Sequence, residues 1–421
     1  MKKRVVITGL GVVSPNGVGL PAFTEAIKNG TSGITHFPEL EALKFSCQLG
    51  AKPIISEELK REYLTELQLR NFNSSGILYG VMAGMDALKD ANIAIDADNP
   101  NWDLGIVFGT GTSGVEKFRE AIYKLDEGKV RRLGSTTVIQ TMASGISAYL
   151  GGITGAANMV TTNSSACATG TEAIIMGYDR IVSGKANMML CGSTSDDGPY
   201  VWGGFDAMKV TTYKHNDTPE SASRPLSASA SGFVPGSGAG ALVLESLESA
   251  QNRNAIIYAE VLGGSVNSGG QRGGGTMTAP NSEAVQRCIK GALKDADVNV
   301  AEIDYINGHL TATVKDPVEI SNWCAALDRR GADFPYINSL KSLVGHCLAA
   351  SGSIEAVSTI LQLHGGFVFP NVNCEDLHPE IEALIGSDSL PKELIETKLK
   401  TVAKASFGFG DVNACVIFRK I

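Results

Sequence analysis

A layered α/β fold is predicted by three features of this 421-residue chain: short apolar strand-like runs, small-residue helical stretches alternating with them, and 48 glycines without a collagen-like period. Strands are expected near Arg4–Thr8, Leu104–Phe108, Asn158–Thr162, Met188–Cys191, Ala241–Leu244 and Tyr258–Gly263. Tyr305–Asn307, Ala403–Ser406 and Ala414–Phe418 complete the strand candidates, and Ser75–Ala91 and Ser282–Asp295 read as helices. So much glycine in a chain that is 43% apolar and 19% charged fits tight turns and closely approaching backbones.

The opening MKKRVVITGLGVV has the basic end and apolar run of a signal peptide. Its apolar run is short and broken by Gly9 and Gly11, so a first β-strand followed by the turn SPNGVG is the better reading. No segment approaches the ~18 continuous apolar residues that a membrane span needs, and a cytoplasmic protein is expected. The net charge of −8, without a run of five like charges, excludes nucleic-acid binding through a broadly basic surface. Eight dispersed cysteines without CxxC spacing read as reduced thiols, of which one stands apart.

The chain also echoes itself. NMVTTNSSACATGTEAI reads as strand, polar turn and small-residue helix, and PYINSLKSLVGHCLAASGSIEAV reads the same way, with Gly170 and Gly352 at matching points. Two related halves, 1–255 and 256–421, are the simplest organisation, with chance similarity of small-residue helices as the competing one. The stretch Gly263–Gly275 is the expected mobile or pocket-edge loop.

Cys167 sits where strand gives way to helix. There the unpaired N–H groups and macrodipole favour a thiolate, and small neighbours leave room for substrate. A buried packing thiol fits the residue equally well. His309 follows the strand-like DYING, and His346 stands at the Gly-flanked entrance KSLVGHCLAASG. A cysteine and two histidines at strand-to-helix transitions can supply a nucleophile and hydrogen-bond donors, while structural or capping histidines are the plainer alternative. No His or Cys pair has the spacing of a metal site, so no metal is expected, and no cofactor. Lys341 and Glu319 are candidate supporting charges.

Gly109-Thr110-Gly111-Thr112-Ser113-Gly114 matches GxGxxG after a strand but lacks the acidic residue that closes a second strand ~20 positions on. A backbone turn lining a pocket is expected there in place of a dinucleotide site. SFGFGDVNACVIF sets two phenylalanines among glycines, which suits either a packed turn or a loop carrying an N–H donor and an aromatic gate.

Together SACATG at Cys167, NGHLTAT at His309, KSLVGH ending at His346, GFG at 408–410, SRP at 223–225 and GFVPGSGAG at 232–240 resemble the β-ketoacyl-acyl carrier protein synthase family, most of all its elongating enzymes. The resemblance spans nearly the whole chain. It implies a thiolase fold: duplicated βαβαβαββ halves in a five-layered α-β-α-β-α sandwich. It also implies a dimer whose partner helps to close an acyl pocket, with a heterodimer beside a related subunit as the alternative.

The chemistry so implied is a decarboxylative Claisen condensation on acyl carrier protein, in fatty acid or specialised polyene or polyketide synthesis. Cys167 would carry the acyl group, and His309 and His346 would assist malonyl decarboxylation. Cys167 and Phe409 would offer oxyanion N–H groups, Phe409 would act as gate, and Lys341 with Glu319 would order the histidines. Arg131, Arg132 and Lys214 would meet the acidic carrier protein. A non-catalytic or chain-length-determining partner subunit is the runner-up, and a degradative thiolase is disfavoured because Cys415 falls inside a strand. The chain departs from the family pattern in HLTATVKD after His309, LSASAS at 226–231, Ser237 in place of Glu, and Asp411 in place of the last Gly of GFGG.

Overall fold

The computed structural model describes residues 2–421. Ten strands form the frame: β1 (Val5–Ser14), β2 (Leu104–Thr110), β3 (Val160–Thr161), β4 (Met188–Ser195), β5 (Gly238–Ser246), β6 (Ala259–Ser268), β7 (Tyr305–Asn307), β8 (Tyr336–Asn338), β9 (Thr401–Gly408) and β10 (Val412–Arg419). Their spatial order is β8-β7-β9-β10-β6-β1-β5-β4-β2-β3, and the short strand Gly17–Val18 folds back on β1. The order within each half is the same: third, second, fourth, fifth, first. The pairings match as well. β2 runs parallel to β3 and β4, as β7 does to β8 and β9. The last two contacts in each half are antiparallel. The sequence echo between NMVTTNSSACATGTEAI and PYINSLKSLVGHCLAASGSIEAV thus falls on corresponding strands and helices of this repeated order.

Six helices cover these strands or carry residues of the site: α1 (Ser75–Asp90), α2 (Thr169–Val182), α3 (Pro199–Ala207), α4 (Ser282–Ala296), α5 (Asp316–Leu327) and α6 (Ser351–Gly365). α2 and α6 lie between the two strand sets and pack on both. α1 covers the outer face of the first set, and α4 with α5 covers that of the second. This is the five-layered arrangement of the thiolase fold. One feature differs from two separate sheets: Val5–Ile7 of β1 pair with Ala259–Val261 of β6, so hydrogen bonding runs unbroken through both halves.

The layers follow from sequence. Strand faces carry Val, Ile and Leu on both sides because both are covered, as in β1 and β5, whose residues are all buried. α2 and α6 are built of small residues because they cross. A Cβ on Gly170 would fall 2.3 Å from the Ser353 amide nitrogen, and one on Gly352 would fall 2.6 Å from that of Thr171.

Several boundaries move from expectation. β1 continues past Thr8 to Ser14, since Gly9 and Gly11 admit the backbone of α1 at Ala87 and Ala83 rather than ending the strand. Gly263–Ser268 belong to β6, paired with β10, so the expected loop begins only at 269. No described helix is long and apolar enough to cross a membrane. All eight cysteines are free and buried.

Candidate active site

Cys167 lies in a single 3-10 turn, Ala166–Ala168, that leads directly into α2. Ala166 holds φ 48, a conformation rare outside glycine, and this kink turns the next side chain toward the other half. The matching turn of the second half, Leu348–Ala350, repeats the kink with Leu348 at φ 52 and puts Ala349 where the first half has Cys167.

His346 follows the short helix Lys341–Val344 and is fixed through its backbone. Its N–H donates to Val234 O at 2.7 Å, and its carbonyl accepts from Gly236 N at 2.9 Å, so the GFVPG segment holds it in place. Its Nε2 stands 3.2 Å from Cys167 Sγ. Nδ1 lies 3.2 Å from the Leu348 N–H, which can only donate, and 2.9 Å from Ser351 Oγ. The Nδ1 position is therefore the acceptor, and the ring proton sits on Nε2, facing the sulfur. Phe233 braces the ring edge-on at 5.0 Å.

His309 emerges from β7 on a loop tied down by two buried carboxylates of the first turn of α5. Glu319 accepts the N–H groups of His309 at 2.6 Å and Leu310 at 2.7 Å. Asp316 accepts those of Thr311 and Leu226, both at 3.0 Å. These bonds hold Leu310 and Ala312 at φ 20 and 60 without the glycine that the family pattern places after the histidine. The His309 ring stands 5.5 Å from that of His346, its Nδ1 has no hydrogen-bond partner, and donor atoms of Cys167, His309 and His346 all lie within 4.8 Å of one another.

Burial governs the electrostatics. It pushes the Cys167 thiol up to about 11, against the pull of Lys341 and of the Phe409 and Cys167 backbone N–H groups. The expected helix-terminus preference for thiolate is thus outweighed by desolvation. Burial, then Lys341, holds both histidines well below the ordinary imidazole value, with Lys404 adding to the effect. Both rings are therefore neutral N–H donors at physiological pH. Burial also raises Asp316 to about 6, and burial with the charge of Asp316 raises Glu319 to about 7.

The two candidate supporting charges, Lys341 and Glu319, act on the histidines by different routes. Lys341 pairs with Glu355 of α6, whose other oxygen takes Lys404 at 2.8 Å, and all three groups are buried. Glu319 instead works on the His309 backbone. Glu355 and Lys404 escaped the sequence reading. The echo of ATGTEA in ASGSIEA carries Glu355, and Lys404 is a lone charge inside the apolar strand VAKAS, so both had left a signal.

A cavity of about 340 Å³ opens onto the sulfur. Phe205, Phe233, Phe407 and Phe409 line it, with Thr311 and Thr313 beyond His309, and Phe205 and Phe409 stand 6.1 Å apart. Thr278–Pro280 form part of its wall, whereas 109–114 do not line it. That segment instead turns beside the second half, with Gly111 near Ala349. Arg131, Arg132 and Lys214 are exposed but are not among the lining residues; the basic groups at the mouth are Lys209 and Lys315.

Models of the N-terminal and C-terminal domains of the beta-ketoacyl synthases match residues 2–250 and 258–375. This chain belongs to the β-ketoacyl synthase family. Like its relatives that are 3-oxoacyl-[acyl-carrier-protein] synthases, it is an acyltransferase. It is 34% identical to the chloroplastic 3-oxoacyl-[acyl-carrier-protein] synthase I of Arabidopsis thaliana, over 99% of this chain and 86% of that one. With 3-oxoacyl-[acyl-carrier-protein] synthase 1 of Escherichia coli K12 it shares 33% identity over 100% and 99% of the two chains. Among solved structures, a beta-ketoacyl synthase from Burkholderia phymatum aligns with TM-score 0.89 at 30% identity, covering all of both chains. The ishigamide ketosynthase/chain length factor aligns with TM-score 0.88 at 27% identity, again over all of both. The β-ketoacyl synthase fold therefore extends through the whole chain, including the segments where its motifs depart from the usual ones.

Proposed function

We propose that this synthase condenses an acyl group held on Cys167 with a malonyl unit carried by acyl carrier protein, giving 3-oxoacyl-acyl carrier protein. The observation that carries the reading is the 3.2 Å contact between His346 Nε2 and Cys167 Sγ, made inside a cavity whose other wall holds His309. In the first step the sulfur attacks the acyl thioester carbonyl, its proton passes to the departing carrier thiol, and the acyl group is left on Cys167. The Cys167 and Phe409 N–H groups serve the oxyanion, a contribution of about 2.7–4 kcal/mol for one such donor in a well-studied enzyme.

In the second step the malonyl C–CO2 bond breaks and its electron pair becomes an enolate at the carrier thioester. Neutral His309 and His346 donate N–H bonds to the enolate oxygen. The CO2 departs, the carbanion attacks the Cys167 thioester carbon, a C–C bond forms, and the sulfur leaves as a thiolate that takes up a proton from water to restore the thiol. Lys341, with Glu355 and Lys404, keeps the imidazoles uncharged, and Glu319 positions His309. Phe409 gates the cavity.

The halves 1–255 and 256–421 each supply part of this centre. We place a second copy of the chain against β3, which is the edge of the sheet, because Val160 on that strand is left 38% exposed. A related subunit would use the same edge. Lys209 and Lys315 are the better candidates for carrier-protein contact, since both stand at the cavity mouth. Fatty acid and specialised polyene or polyketide substrates are separated by one experiment: intact mass measurement after exposure to carrier proteins loaded with short, long and polyunsaturated acyl chains. One class should add its acyl mass to Cys167, and malonyl-carrier protein should then discharge it as a 3-oxoacyl product. No acyl adduct across the panel would sink the proposal.

A further inference from the structure

Asp411 takes no part in the condensation chemistry, yet it is wholly buried in the turn between β9 and β10. It holds φ 62, a conformation that suits glycine better than any residue with a side chain. The carboxylate is occupied by one segment alone. Its Oδ1 accepts the Asn281 N–H at 2.8 Å, and its Oδ2 accepts the Gln271 N–H at 3.0 Å. Backbone bonds run alongside, from Gly269 N to Asp411 O at 3.0 Å and from Gly410 N to Met277 O at 2.8 Å. Gly269 and Gly275 make the room, since a Cβ on either would fall 2.1 or 2.7 Å from Oδ2.

The segment so held, 269–281, joins β6 to α4 and contains five glycines between 269 and 275. A loop of that composition has much backbone entropy to lose on ordering, and the carboxylate grips it near both ends. Asn281 passes the grip onward by capping α4 at Ala284 N, 3.0 Å away. Between those anchors lie Thr278–Pro280, which wall the cavity, and two residues before Asp411 lies Phe409, which also lines it.

We propose that Asp411 is a positioning residue: it latches the 269–281 strap to the Phe409 loop and so fixes the wall against which acyl chains are selected. The selection half of this inference rests on the condensing function proposed for Cys167; the latch does not. Asp411→Gly removes the carboxylate while relieving the left-handed backbone, so the variant should fold. Asp411→Asn keeps one acceptor and turns an NH2 toward the other N–H.

Two readouts decide it. In hydrogen exchange, amides of 269–281 should exchange about tenfold faster in Asp411→Gly, with Asp411→Asn between it and the parent. In Cys167 acylation, the ratio of kcat/KM for short against long acyl-carrier proteins should shift by about fivefold or more, whereas general loosening would lower both together. Unchanged exchange overturns the latch whatever the acylation does. Faster exchange with an unchanged ratio overturns the role in selection. If the parent protein accepts no acyl group, the condensing function and the selection role fail together, and exchange alone decides the latch.

Discussion

The two turns that face each other at the centre, Ala166–Ala168 and Leu348–Ala350, are built alike and do different work. Each follows a strand of the same rank, each has a residue at positive φ, and each opens a helix with glycine in second place. In the first, Glu172 of α2 stays local and takes Ser165 Oγ at 2.6 Å and Asn163 Nδ2 at 2.8 Å. In the second, Glu355 of α6 is drawn into a buried group with Lys341 and Lys404. The first half thus offers a sulfur in a nearly uncharged setting, and the second brings the imidazoles and the charges that hold them neutral. The two helix entrances are built alike and differ in a few polar residues; under the mechanism proposed above, those residues decide which entrance carries the nucleophile and which its environment.

Removing the second half's contribution is the hardest test of that division. His309→Ala and His346→Ala should each lower condensation about 10²–10³-fold, the range for losing one aimed donor. They should also part company. His346 touches the sulfur, so its loss should slow Cys167 acylation too, whereas His309, with a free Nδ1, should leave acylation within a few-fold of the parent. Separate single-turnover measurements of acyl transfer and malonyl decarboxylation would check this. Equal damage to both steps from both variants would erase the distinction.

Glu355→Gln tests the charges apart from the rings. It leaves Lys341 and Lys404 buried without their shared carboxylate, and breaking such a group costs about 3–5 kcal/mol. Denaturant unfolding should show that loss. Glu172→Gln, in the same turn of α2 but one position earlier than Glu355 stands in α6, lacks any cation to strand and should lose about 1 kcal/mol by the same assay.

Much of this contrast was legible in the chain, and the part that was not has a physical cause. Strands with continuous apolar faces and helices of small residues mark a sheet covered on both sides, so layers and repeat follow from local pattern. Cys167, His309 and His346 stand at strand-to-helix transitions, where α/β folds assemble sites. Their convergence within 4.8 Å, by contrast, depends on α2 crossing α6 at paired glycines, which no local window contains. The partner of Lys341 was missed for the same reason: Glu355 is fourteen residues away along the chain and meets it only through the fold. The helix terminus beside Cys167 can be read locally, whereas the burial that opposes ionisation there cannot.

Thiol reactivity compares the halves directly. Burial raises both thiols, but at Cys167 it is opposed by Lys341 and by backbone N–H groups, its own and that of Phe409, so that its thiol is pushed up only to about 11. Burial, with Glu355 nearby, drives Cys347 higher. Alkylation by iodoacetamide should therefore strike Cys167 first and quicken about tenfold per pH unit toward pH about 11. Stability carries the same sign. A thiol raised above its unfolded value of about 8.5 contributes stability that is full below that pH and is lost as pH rises through about 11. A labelling rate that levels off near pH 8 would show the sulfur to be less desolvated than its surroundings imply.

The smallest effect belongs at the mouth, where each half contributes one exposed lysine, Lys209 from the first and Lys315 from the second. Contacts of that kind steer an acidic partner and are screened by salt, so they act on encounter rather than on chemistry. Lys209→Glu and Lys315→Glu should each raise KM for acyl-carrier protein about three- to tenfold at low salt, leave kcat unchanged, and lose most of the effect near 0.5 M salt. Arg131→Glu and Arg132→Glu sit away from the cavity lining and serve as the contrast. If those two raise KM more than the lysines do, the carrier protein approaches across the first half alone, and the division of labour between the halves ends at the cavity mouth.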